Sequence, residues 1–409
     1  MRTLSSIENR LLTCIAGVVV LAAPRTAGPA PSGLPQNAAL VYYQACLFRL
    51  QVLKEPASFW PVSTSLDPEF DPNSVIRSFV RSKDYQFLIQ LTTAASKMPR
   101  CDWGLVRVVR LNVPFAVLGQ MQVLTNFFIA QAKVSACDGQ YKAALENALT
   151  LRRISRHFGD ENWYTEGNCR GMDARAFDLI GYVLGKMPPD AETLTWLEKE
   201  LAAGGEVEWR PRETLTKSLD WQVQCLQATP ELLAKVLEDP VLKTKTEGLT
   251  AAQVLERARS AWNEVFQSAL AIMESEESPD EKQRELEELS AEAGIKVYEH
   301  DPMILMPNIE RFPIVYTAYV NGLAHVHAAQ AAIAIYHVKA TTGQLPQTLP
   351  GGLPKDPYSG KDFEYQVTAK RFILRCRAKF TSDGRENAEP KQFEFPVAEK
   401  SPGKVGEVH

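Results

Sequence analysis

The sequence predicts a mainly α-helical fold, an irregular multi-helix bundle of stacked helical hairpins closed by a small C-terminal antiparallel β-sheet. Three observations predict it. Apolar residues recur at three- and four-residue spacing through most of the chain after Asn37. Two long segments, Leu111–Ala132 and Phe312–Val338, contain no Asp, Glu, Lys or Arg. Beyond Gly343 the pattern changes to short alternating runs between Pro- and Gly-containing turns.

The chain has 409 residues, 45% hydrophobic and 23% charged, enough for a large core and for two or three domains. Its 45 basic and 49 acidic residues give a net charge of -4, without the basic excess of a dedicated nucleic-acid binder. Ordinary Gly, Cys and apolar contents exclude collagen-like, disulfide-dense and wholly disordered classes.

Arg2 and Arg10 precede an uncharged apolar run, Leu11–Ala23, whose helix would rise only about 20 Å against a hydrocarbon core of about 30 Å. A Pro/Gly-rich stretch of small residues, Pro24–Pro35, follows. The combination reads as a secretory signal peptide over residues 1–30, cut after Ala27 or Ala30, with a linker at 31–36. The helical domain then spans 37–342, the β-tail 343–398, and residues 399–409 read as disordered. Six cysteines outlast processing; their even number permits disulfides in an oxidising compartment, and their wide spacing gives no CxxC.

Asn37 is placed to cap a helix through Val41, Tyr42, Cys46, Leu47 and Leu50. After a loop from Pro56 to Pro72, Ser74 opens a helix with Val75, Phe79, Leu88 and Leu91 inward, ending at Met98–Gly104. The uncharged Leu111–Ala132 carries the stripe Val117, Met121, Leu124, Phe128 and Ala132; its Asn and Gln residues favour a central bundle helix over a span in lipid. Arg152, Arg153, Arg156 and His157 form a basic run expected to be a solvated face near a helix C-terminus, where it complements the dipole, rather than a phosphate site.

Further helices are expected over Asn168–Gly185, Asp190–Ala203, Glu213–Ala228, Pro230–Leu237 and Ala251–Met273. Ser278-Pro279-Asp280-Glu281 is a strong helix start, opening an acidic solvent-facing helix rather than a calcium trap. Phe312–Val338 carries Val315, Tyr319, Val326, Ala329, Ile333 and Tyr336 on one stripe. It is long enough for a bilayer, but its Asn, Gln and His residues place it in a core. Strands are expected at Phe363–Val367, Phe372–Arg377 and Gln392–Val397, with a turn at Ala369-Lys370.

Gly139-Gln140-Tyr141-Lys142-Ala143-Ala144-Leu145 resembles the inter-helix turn of a tetratricopeptide unit. No second copy lies about 34 residues away, so the likeness covers one weakly tetratricopeptide-like hairpin and no array. In the tail, Gly343-Gln344-Leu345-Pro346, then Leu353-Pro354-Lys355-Asp356-Pro357-Tyr358-Ser359-Gly360-Lys361, then Phe363-Glu364-Tyr365, is similar to the C-terminal part of major pseudopilins of type II secretion. The whole pattern also resembles large exported helical proteins of bacteria that carry such a tail; that resemblance implies export and brings no assigned activity. The prepilin processing signal is missing, so a pilin subunit is not implied. Pseudopilins hold calcium in a late loop; at the corresponding Thr381–Asn387, Arg385 intrudes and the composition is that of an ordinary turn.

No G-x-S-x-G, HExxH, Walker loop or G-x-G-x-x-G is present. His325 and His327 stand roughly 200° apart on a helix and His337 faces a third way, so they cannot share a metal. Glu299-His300-Asp301 is a weak acid/base candidate beside Pro302. No cofactor or metal is expected, and no catalytic residue is assigned. The favoured expectation is an exported, periplasmic or secreted, non-catalytic binding or scaffold protein of the cell envelope. It would take protein or peptide partners, no nucleic acid, and keep no stable membrane span after signal cleavage. The alternatives are a hydrolase-like enzyme whose site assembles only in three dimensions and a membrane-embedded protein through 312–338.

Overall fold

A computed structural model describes residues 37–56, 59, 72–103, 113–159, 163–204, 209–227, 234, 238, 243–244, 246–298, 312–368, 370–377 and 390–397. Among them are eleven helices followed by a three-stranded sheet, the predicted fold class. The expectations for the signal peptide, the linker, most of Pro230–Leu237, His300, the Thr381–Asn387 loop and the last residues lie outside the described residues.

Three helices form an N-terminal layer. In α1 (Ala38–Val52), Asn37 Oδ1 accepts from Ala39 N at 3.2 Å as the capping residue. The same side chain ties this end to the 98–103 segment, donating to Asp102 O at 2.7 Å and accepting from Asp102 N at 2.8 Å. The helix expected from Ser74 is two helices. In α2 (Ser74–Val80) Asn73 is the cap; Ser82 caps α3 (Lys83–Ser96), accepting from Tyr85 N. Ser82, immediately before α3, accepts from the backbone N–H three residues on, and this cap outcompetes continuation of the apolar stripe. Consequently Val75, expected inside, is exposed.

The hairpin α4 (Val113–Cys137) and α5 (Tyr141–Gly159) bears out the central uncharged helix: Met121, Leu124, Phe127, Phe128 and Ile129 are all buried. Gly139, at φ 75°, makes the turn between them, a backbone conformation that a Cβ would strain. Near this turn Asp138 pairs with Arg77 of α2 and with Arg81 just after it, and the hydrogen bond from Arg81, ahead of the two positive charges, holds its carboxyl below the usual range. A depressed carboxyl contributes stability above its unfolded value of about 3.9 and loses it as pH falls through the lower folded value. The protection of α2 amides, relative to their intrinsic exchange at the same pH, is therefore expected to fall below about pH 4, and Asp138→Asn to show that lower protection already at neutral pH.

Helix α6 (Trp163–Lys186) lies against α5, α4 and the long last helix. Helices α7 (Ala191–Gly204), α8 (Pro211–Gln227) and α9 (Ala251–Glu274) complete the outer wall. The start of α10 (Pro279–Tyr298) is a reciprocal cap: Ser278 Oγ accepts from Glu281 N at 3.3 Å while Glu281 Oε2 accepts from Ser278 N at 3.0 Å. Gln283, Leu286, Ser290 and Ala293 face inward and the acids outward, as expected of a solvent-facing acidic helix. Ser278→Ala is expected to cost about 1 kcal/mol in urea unfolding.

Helix α11 (Phe312–Thr342) is enclosed by α6, α7, α10 and the sheet, and Val315, Val326, Ala329, Ile333 and Tyr336 of its predicted stripe are buried. Among the described residues no helix is long and apolar enough to cross a membrane. Strands β1 (Glu364–Val367), β2 (Arg371–Arg375) and β3 (Gln392–Pro396) pair antiparallel in sequence order. Phe372 lies opposite Phe395, and Leu374 opposite Phe393, so alternation puts all four side chains on the face toward the helices. One apolar cluster fills the N-terminal layer with the inner sides of α4–α6; the other joins α6–α11 to the sheet.

Candidate functional site

The basic run on α5 is not a solvated face. Arg152 is buried, with its Nε 3.3 Å from Asp173 Oδ1 on α6 and its guanidinium 4.7 Å from the centre of the Phe177 ring. Arg156 donates to Gly204 O, the last carbonyl of α7, and Arg153 bridges Glu146 at 2.9 Å and Glu200 at 3.4 Å. The expectation failed because the complementary charge is tertiary: the arginines serve the negative end of α7 and a carboxylate of α6, not the end of their own helix. Burial lifts the Asp173 carboxyl above its usual range against the pull of Arg152, Arg156 and Arg170; burial, then Arg152's repulsion, lowers Arg156 to about 10. Beside them Arg170 Nε donates to Glu166 Oε1 at 2.7 Å, with its guanidinium near the Trp209 and Tyr319 rings, which stack at 4.2 Å. The whole constellation bolts α5, α6, α7 and α11 together.

A second polar cluster lies where the tail meets the bundle. Asp356, fully buried, accepts from Tyr358 N at 3.0 Å, Ser359 Oγ at 2.6 Å and Arg377 N at 2.8 Å, and Gly360 at φ 66° finishes the turn. The Asp-Pro-Tyr-Ser-Gly motif is thus a turn that plants Tyr358 against α11, where its hydroxyl donates to Asn321 Oδ1 at 2.6 Å. The same oxygen accepts from Lys391 Nζ at 3.1 Å, and burial lowers the Lys391 ammonium's pKa. One turn along α11, His325 Nδ1 donates to Asp178 Oδ1 of α6 at 2.6 Å, its ring edge-on to Phe393. Asp178 and Lys391 come from segments 213 positions apart (391 less 178), so no local spacing could have found this group. The trace in the sequence was Asn321 and His325, one turn apart on an otherwise apolar helix.

The three histidines of α11 engage three different partners, as their angular spacing requires. His325 takes Asp178, His327 Nδ1 donates to Lys355 O at 2.6 Å, and His337 Nε2 lies 3.2 Å from Thr195 Oγ1. His157 joins α1 to the rest: it stands 3.0 Å from the Tyr42 hydroxyl and 3.0 Å from Met98 O. Cys46, Cys137 and Cys376 are outside any disulfide, so the bridges that six cysteines permit do not form at these three. Burial pushes the Cys46 thiol up to about 12 and raises Cys376 too, with help from Asp356, which makes both poor nucleophiles.

One surface stands apart. Helix α1 has a single charged residue, Arg49, which turns aside to Glu55 at 2.7 Å and Gln120 at 3.3 Å. Tyr42, Ala45 and Cys46 take the inward side, whereas Leu50, expected inside, is exposed and Val41 and Leu47 only half-buried. Leu40 (55% exposed) and Val52 (42%) are exposed too, spread with Leu50 over the outer half of the helix, and Phe48 meets Phe87 of α3, itself 49% exposed, at 4.9 Å between ring centres. The sequence pointed Val41, Leu47 and Leu50 inward with Tyr42 and Cys46, and the structure buries only the last two of these five.

No protein-family model, curated protein or solved structure matches the chain.

Proposed function

We propose that the protein is an exported helical binding or scaffold protein of the cell envelope. The observation that carries this reading is the group of exposed apolar side chains on the outer side of α1, Leu40, Leu50 and Val52, continued by Phe87 of α3. Contiguous exposed apolar side chains mark interaction surfaces. The N-terminal pattern of Arg2, Arg10, Leu11–Ala23 and a Pro/Gly-rich stretch supports export, as does the tail's likeness to major pseudopilins. In this reading the polar clusters are structural: one locks the helices, the other seats the tail.

The test is photo-cross-linking in cells with a probe at Gln51, on the outer side of α1, against a control at Glu288 on α10. Adducts, whether to protein or to lipid, are expected from position 51 and not from 288. Equal yields from the two positions would sink the binding reading. Mass spectrometry of the exported material should find an N-terminus beyond residue 23; an intact Met1 in the soluble fraction refutes the signal peptide.

The Asp178–His325 pair gives the hydrolase-like reading its one specific support, because a carboxylate on Nδ1 leaves Nε2 as a base. His325→Gln separates the two: turnover of ester or peptide substrates that the variant loses at unchanged stability favours the enzyme.

A further inference from the structure

We infer that the strip formed by α1 and Phe87 seats on the phospholipid surface of the membrane across which the chain is exported. This deepens the binding reading by naming its partner and rests on it. The inner side of α1, with Tyr42, Ala45 and Cys46, is in the core, and the apolar side chains left on its outer side call for a covering surface of their own. Its single charge is drawn aside by Glu55, which leaves Leu40, Leu47, Phe48, Leu50 and Val52 without a charge among them.

Three further observations favour a bilayer over another occupant. First, α1 is the first described helix after the apolar leader segment. Only Pro24–Gln36 lies between Ala23 and its cap, at most about 45 Å of extended chain. A leader held in the bilayer during export therefore delivers this helix, ahead of every other described element, to the membrane surface at high effective concentration. Cleavage after Ala27 or Ala30 removes that tether, after which the strip holds by its own contact with the surface. Second, the rim carries cations. Lys54 and Lys83 are exposed beside α1 and α3, while Lys97 and Arg100, also exposed, lie 3.5 Å from Glu146 and Asp102, and Asp84 is an exposed acid next to Lys83. Cations around an apolar face are what an interfacial helix presents to lipid headgroups. Third, Phe48 and Phe87 form an aromatic pair at the edge of the strip, placed to enter the boundary between headgroups and acyl chains.

The experiment is hydrogen exchange on the protein as recovered from the envelope, with vesicles of phosphatidylethanolamine and phosphatidylglycerol, 3:1, and of phosphatidylcholine alone. Slowed exchange is expected in residues 38–52 and 83–96 and unchanged exchange in 279–298, with tighter binding to the anionic vesicles. The triple variant Leu40→Glu, Leu50→Gln, Phe87→Gln should bind at least about tenfold more weakly and melt as the wild type does, since its sites are exposed and Glu at the third position of α1 suits the helix dipole. If that variant misfolds, Leu40→Glu alone serves, with a several-fold loss expected. Three results overturn the inference. Vesicle binding that the variants leave unchanged places the lipid contact elsewhere. Protection of the same residues without vesicles, growing with protein concentration, assigns the strip to a second copy. No vesicle protection, with protein adducts still captured from position 51, removes the lipid and leaves the binding reading standing.

Discussion

Gly185→Ala is expected to destabilise the protein by about 1–2 kcal/mol, although alanine is the better helix former by about 1 kcal/mol. A Cβ at Gly185 would stand 3.0 Å from Pro396 Cδ and 3.1 Å from its Cβ and Cγ. A proline ring has no rotamer by which to retreat, so strand β3 must move. One turn earlier a Cβ at Gly181 would meet Phe395 at 3.1 Å, and these two glycines are the face on which the tail lies. Gly185→Leu should cost about 3 kcal/mol and expose Phe372 and Phe395 to a hydrophobic dye. Gly171, on the same helix with nothing within 4 Å of its missing Cβ, is the internal control. Gly171→Ala should stabilise by about 0.5–1 kcal/mol. Urea midpoints that shift the same way in both alanine variants would show that the tail does not rest on α6.

Asp173→Ala should cost about 3–5 kcal/mol, the largest single loss expected here, because it strands the Arg152 charge in the interior with Arg156 and Arg170 close by. The pair itself is not the source of that energy. Replacing both partners with apolar residues of similar size, Arg152→Met with Asp173→Leu, should recover most of the loss, since a buried ion pair surrenders hydration for its attraction. If the double variant is no better than Asp173→Ala, the cluster does more than join helices, and an anion held by the remaining arginines becomes the reading to pursue.

What could be read in advance followed from short-range rules. The cap at Ser278, the glycine turn at Gly139, the Asp356 turn and the β2–β3 alternation each depend on residues within a few positions of one another, so spacing carried them. The failures share the opposite property. Whether Arg152 meets water depends on Asp173 of the next helix and on where α7 ends. Whether Leu50 is covered depends on which helices reach α1, and nothing in the α1 sequence encodes that. The break at Ser82 is local too: a capping serine there interrupts an apolar stripe that by itself reads as one helix.

By itself the sequence determined the fold class, the strands, the turns and the separate directions of His325, His327 and His337, since backbone periodicity and side-chain branching act locally. Only the tertiary structure decided that the arginines are internal bolts, that Asp178, His325, Asn321, Tyr358 and Lys391 meet beneath the tail, and that Leu40, Leu50 and Val52 of α1 are exposed. Charges and apolar surfaces find their partners through space, and the distance along the chain between partners carries no trace of the pairing.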